Sequence, residues 1–217
     1  MSWLVSAKQY IPAVIGEPFG GGYFAGYISH TANGQPTHAL IVAPAATGAT
    51  GTGYTLTANL AWKTSSTTTP GTTSDFDGAA NTSAIVAAGI ADHPAAQFCT
   101  GLNIGGFTDW YLPARYELDI AYFNLKPGTG GNSSSSGTNV YAVPQRNTNW
   151  TPDYPTQTTV SLFTFGQAQA FTTAGHFSST ESSVANAWEI NFNIGNQVLR
   201  TKTATFPRVR AFRRIAL

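Results

Sequence analysis

Four histidines, one cysteine and ten acidic side chains are the groups here with acid, base, nucleophile or ligand chemistry to offer. Such chemistry needs set spacings, because an acid and a base must share one proton path and metal ligands must converge on one ion. His30, His38, His93 and His176 are scattered, with no ligand spacing among them. Cys99 stands alone beside Ala95, Ala96 and Phe98, where a thiol behaves as a small buried hydrophobe. Asp75, Asp77 and Asp92 are the candidates for calcium, but the first pair lacks the glycine and following acids of an EF loop. No G-x-S-x-G, H-E-x-x-H, Walker loop or Rossmann glycine pattern occurs. The expectation is a protein that is not an enzyme and holds neither metal nor cofactor.

Binding chemistry is the remaining option. In Trp188-Glu189-Ile190-Asn191-Phe192-Asn193 apolar and polar residues alternate, which is the period of a half-buried strand. Trp188, Ile190 and Phe192 should face a core, and Glu189, Asn191 and Asn193 should face water. Joined by Ser182, Ser183 and Asn186, the outward row offers hydroxyls and amides that exchange hydrogen bonds without the cost of desolvating a charge. This row is the candidate ligand or receptor surface. After Glu189, the last acid, come Arg200, Lys202, Arg208, Arg210, Arg213 and Arg214. Arg210 or Arg213 is expected to form a bidentate pair with Glu181 or Glu117 inside the fold.

The elements that must position these groups are legible in outline. At 217 residues the chain is long enough for one large domain with its own core. Hydrophobic residues make up 42% of it, too much for a disordered chain, yet only 10% is charged, far below the usual quarter. A net charge of +1 and no basic run longer than Arg213-Arg214 argue against nucleic-acid partners held by counterion release. No apolar stretch approaches a bilayer span, so membrane insertion is not expected. The start of the chain lacks the pattern of a signal peptide.

Residues 1–18, interrupted by Pro12 and Pro18, read as an arm that docks on a partner. Gly20 to Ile28 and His38 to Pro44 read as a β-hairpin around Ala32-Asn33-Gly34. Residues 45–74 read as loop with Trp62 as its anchor. Helices follow: one capped within Asn81-Thr82-Ser83, one from Pro94 through Cys99, and one over Arg115 to Leu125 with Arg115 and Asp119 as a polar pair. Residues 127–157 are rich in Gly and Ser and read as loop. Short strands return from Val160 onward. Strand-like ends around a block of helices indicate an α+β domain over residues 19–217.

Two strings are more specific. Gly106-Phe107-Thr108-Asp109-Trp110-Tyr111-Leu112-Pro113, followed by Glu117-Leu118, resembles the G-[FY]-[ST]-D-W-x-L-P-x-x-x-E-L signature of the C-terminal domain of bacterial collagen-like adhesins. Downstream, Phe177-Ser178-Ser179-Thr180-Glu181, Ala187-Trp188, Phe192 to Gly195 and Val209-Arg210-Ala211-Phe212-Arg213 resemble that family's later motifs. The likeness covers about residues 20–217. It implies a C-type-lectin-like fold of the formylglycine-generating-enzyme type, with Asp109, Trp110, Leu112, Pro113, Glu117, Leu118, Ser178, Ser179, Thr180, Glu181, Trp188 and Arg210 as structural residues. Ala114 stands where the family places a capping Ser or Thr, and His176 where it places Tyr. The catalytic cysteines of formylglycine-generating enzymes are unmatched.

Gly20 to Ile28 is also similar to the starts of phage tail-fibre and virion surface proteins. The resemblance implies a phage virion surface protein, a tail fibre or tip or a head fibre or decoration. It would be made in the host cytoplasm, attach to other virion proteins through residues 1–18, form a homo-oligomer with a trimer favoured, and contact a host-surface glycan or protein. The alternative is a cellular adhesin or ligand-binding module of the same fold.

Overall fold

A computed structural model describes residues 10–50 and 60–217. Helices and antiparallel sheets are combined, as an α+β class requires. β1 (Pro18–Phe19), β2 (Gly22–Ile28), β3 (His38–Val42) and β8 (Phe212–Ala216) form the main sheet in the order β1-β2-β3-β8, and β4 (Ala142–Val143) pairs with β2 near one end. A second sheet, in the order β5-β6-β7, contains β5 (Gly175–Glu181), β6 (Asn186–Asn191) and β7 (Gln197–Thr201). The main sheet joins the two ends of the chain, since β3 pairs with β8 along five residues.

Both faces of β3 are covered, which explains its unbroken apolar run. Successive side chains of a strand point to opposite faces. Leu40 and Val42 therefore enter one cluster, with Leu118, Tyr122 and Leu125 of helix α4 (Arg115–Leu125). Ile41 and Ala43 enter the other. That second cluster holds Ile85 of α2 (Gly78–Gly89), Ala95 and Cys99 of α3 (Pro94–Thr100), and Trp62 and Trp110. A short helix, α1 (Ala45–Gly48), turns the chain just after β3. Burial pushes the Cys99 thiol well above its usual range, so it is an inert core residue.

α2 starts earlier than Asn81-Thr82-Ser83 implies. Asp77 is its cap and accepts from the Ala80 amide at 2.8 Å, while Asn81 is buried and bonds Ser74 O and Ser179 Oγ. α4 lacks a side-chain cap at Ala114, as its residue type dictates. Glu117 reaches back to the Ala114 amide at 2.7 Å, and Thr180 of β5 accepts from the Arg115 amide at 3.1 Å. The missing cap is thus replaced from another strand. Arg115 and Asp119 do not pair with each other. Arg115 stacks over Trp188 and approaches Asp75 at 3.6 Å, and buried Asp119 takes Arg146 as its partner.

Residues 10–18 lie against this same domain. Gly16 N donates to Phe24 O at 2.8 Å, Tyr27 donates to Pro12 O at 2.9 Å, and Pro18 pairs with Tyr23. Residues 1–9 of the expected arm lie outside the described residues. The segment 127–157 is largely irregular, as expected, but it has a polar frame. Lys126 donates to Gly130 O, Asn132 Oδ1 and Pro155 O, and Asn132 and Asn139 are buried. Its Ala142–Val143 piece joins the main sheet as β4. From Val160 the chain makes a 3-10 turn at Ser161–Phe163 and further turns, and regular strand resumes only at Gly175. Among the described residues, no helix is long and apolar enough to cross a membrane.

Candidate functional site

The two motif strings meet. Ser179 N donates to Pro113 O at 2.7 Å, which ties β5 to the residues just before α4. Trp110, Leu112, Pro113 and Leu118 are buried, and Ser178 donates to Trp188 O. The strings are construction, and their acids have internal partners. Glu117, fully buried, accepts from Tyr111 Oη at 2.7 Å, and burial lifts its carboxyl to about 7. Glu181 accepts from Lys202 at 3.1 Å, the Thr69 amide at 2.7 Å and Thr72 at 3.0 Å.

The expected arginine pairs are therefore replaced. Arg213 pairs with Asp109, not with Glu181 or Glu117. Arg210 has no carboxylate partner among the described residues. Tertiary proximity decides the pairing, because Asp109 and Arg213 flank neighbouring segments joined by the Tyr111–Phe212 bridge.

The candidate polar row does not form one surface. Glu189 is only 2% exposed, and Arg200 closes over it with bonds of 2.7 and 3.2 Å while stacking on Phe206. Gly175 beside it leaves the room that its side chain fills. The row read as outward is thus covered at Glu189, while Asn191 is part-buried and Asn193 exposed; of the row read as inward, Ile190 and Phe192 are buried and Trp188 is part-buried under Arg115. Ser182 and Ser183 of the β5–β6 turn bond Asn186, the first residue of β6, whereas Asn191 is its last residue and Asn193 lies in the turn beyond. The two groups stand at opposite ends of a six-residue strand, roughly 17 Å apart at the usual rise.

A groove elsewhere has the shape of a site. Its volume is about 690 Å³, and it lies between α1 and the turns of residues 165–173. That volume suits a small ligand. Phe165 on its rim is 67% exposed, and Phe171, Thr172, Gln167 and His176 also line it. Arg210 is the one charged residue among its described lining residues, and it is 1% exposed.

Two segments hold Arg210 in place. Nε donates to Ala43 O at 2.9 Å, after β3, and Nη1 donates to Gln169 O at 2.8 Å. Its guanidinium lies 4.4 Å from the Phe171 ring centre, and Phe171 in turn stacks on Phe192. Gln169 also accepts from the Ala45 amide, so one loop residue secures both α1 and the arginine. Nη2 is buried with no hydrogen-bond partner among the described residues, and so is Thr172 Oγ1. Burial brings the guanidinium down to about 9. His176, whose Nδ1 donates to Ala174 O, is pulled down to about 3 and adds no positive charge.

The sequence singles out Arg210 but not the groove. Its one signal is Phe163-Thr164-Phe165 with Phe171, aromatic residues in a stretch otherwise made of Gly, Gln, Ala and Thr. Their association with the end of β3 spans more than a hundred residues of chain, and that with Arg210 about forty. No cluster of three His, Cys, Asp or Glu side chains that could hold a metal occurs among the described residues. No protein-family model matches this chain, and no curated protein matches it either.

Proposed function

We propose that this chain is a bacteriophage virion surface protein, non-enzymatic, whose domain has a C-type-lectin-like fold and contacts the host envelope through the groove at Arg210. The observation that carries the reading is the groove itself. It combines an exposed aromatic ring, amide and hydroxyl groups and a single held cation. Such a lining favours holding a ligand over transforming one, because it has no acid and base set to exchange a proton. The two motif strings, packed against each other at Ser179 and Pro113, support the fold reading. Attachment to other virion proteins through the N-terminal segment and a trimeric assembly belong to the same proposal.

Fluorescently labelled chain incubated with host cells tests it. The chain should bind the cells and compete with infection, and Phe165→Ala should lower both. A chain that neither binds nor competes would leave passive decoration of the particle as its role.

A further inference from the structure

We infer that the groove is a subsite for the carboxylate of an acidic sugar, with Arg210 as the anion partner and Phe165 and Thr172 as contacts for the sugar body. The inference rests on the groove being the recognition site, and it adds the chemical class of the ligand.

A charge buried without a partner is costly, and proteins ordinarily pair it. Arg210 breaks that pattern among the arginines whose contacts are described: Arg146, Arg200, Arg213 and Arg214 each contact an Asp or Glu. It is oriented by two carbonyls and an aromatic face, which fix its geometry without neutralising it. Its third nitrogen, Nη2, has no acceptor among the described residues. A carboxylate arriving there gains a charge-assisted bond in a desolvated setting.

The remaining lining selects what the carboxylate is attached to. Thr172 Oγ1 is a second buried group with an unmet hydrogen bond. Phe165 presents a broad apolar ring at the rim, suited to the C–H face of a pyranose. Gln167 adds an amide, and the space of about 690 Å³ accommodates one or two sugar rings. With neutral His176 beside it, the groove presents one positive charge, which suits a monocarboxylate better than a polyanion.

Calorimetric titration of the full chain tests the inference with D-glucuronate, D-glucose, sodium acetate and N-acetyl-dialanine as probes. Glucuronate should saturate one site, and glucose should not bind detectably. Arg210→Gln should abolish the binding. Because that variant removes two bonds of the fold, Thr172→Val and Phe165→Ala are the decisive changes, each weakening glucuronate by roughly three- to tenfold. Asn193→Ala, in the turn after β6, should leave it unchanged. Absence of saturable glucuronate binding overturns the inference, as does insensitivity to Thr172→Val and Phe165→Ala. Acetate binding as tightly as glucuronate would mean an adventitious ion only, and tighter binding of N-acetyl-dialanine would assign the groove to a peptide carboxylate. Glucuronate binding without attachment to host cells would remove the recognition reading and keep the subsite. Attachment without glucuronate binding would do the reverse.

Discussion

Glu117 is a motif residue whose side chain is held wholly inside the fold. Its carboxylate is sealed between Tyr111 and the Ala114 amide, and α2 begins against it, since a Cβ on Gly78 would meet its oxygen. Burial raises its carboxyl from the ordinary 4.5 to about 7. The folded protein then holds a proton that the unfolded chain has released. This contribution to stability is complete below about pH 4.5 and is lost as the pH rises through about 7. His30, lowered by burial to about 4, slopes the opposite way between pH 4 and 6.5. The two separate only by difference. Glu117→Gln should gain stability relative to the native chain between pH 4.5 and 7.5 by on the order of 3 kcal/mol, read from urea unfolding at the two pH values. An equal difference at both pH values would mean that the carboxyl titrates normally. The residue type was legible in the sequence, as was its motif, but the burial that moves its proton was not.

At the scale of elements, the second sheet and α4 meet where Gly195 turns the chain between β6 and β7. Gly195 has φ +69°, and a Cβ there would collide with the ring of Tyr122 on α4. Tyr122 cannot retreat, because its hydroxyl is fixed to Asn132 at 2.6 Å and its ring packs edge-on against Phe192. Gly195→Ala should therefore destabilise the fold by about 2–4 kcal/mol, through overpacking and a left-handed backbone together, read as a lower urea midpoint at unchanged slope. Element type was largely legible: the apolar run at β3, Pro94 at the start of α3 and the extent of α4 all follow from residue pattern. The face assignment of β6 was not. Alternation says that Glu189 and Asn191 share a side, but only Arg200 on β7 and Phe206 beyond it decide that Glu189 is covered.

At the scale of the molecule, the N-terminal residues both support the fold and enter the assembly proposal. Removing residues 1–18 strips β1, the Gly16–Phe24 bond, the Pro12 acceptor of Tyr27 and the packing of Ile15 on the core. Its melting temperature should fall by several degrees, at roughly 2–4 °C for each kcal/mol lost in a domain of this size. Removing residues 1–9 alone leaves all of these contacts in place, so its melting temperature serves as the control for the shorter deletion. Light scattering on the shorter deletion then tests assembly separately. Monomers at unchanged melting temperature would carry the docking role, and undiminished oligomers would end it.

Composition and pattern by themselves determined an α+β domain poor in charge, its main helices and hairpin, and the two strings that turn out to pack together. These features are written locally, because strand alternation, helix starts and turn residues act within a few positions of chain. Tertiary structure alone decided which charges are paired and where a concavity forms. Arg210 and Arg213 are three positions apart in one strand-like run, so alternation sets them on opposite faces without saying which of them meets a carboxylate. Folding sets Arg213 beside Asp109 and leaves Arg210 among two carbonyls and a phenyl ring, with one nitrogen unmet. The fate of a charge depends on what distant chain brings within about 4 Å of it, and that distance is fixed only when the two ends of the sequence join in one sheet.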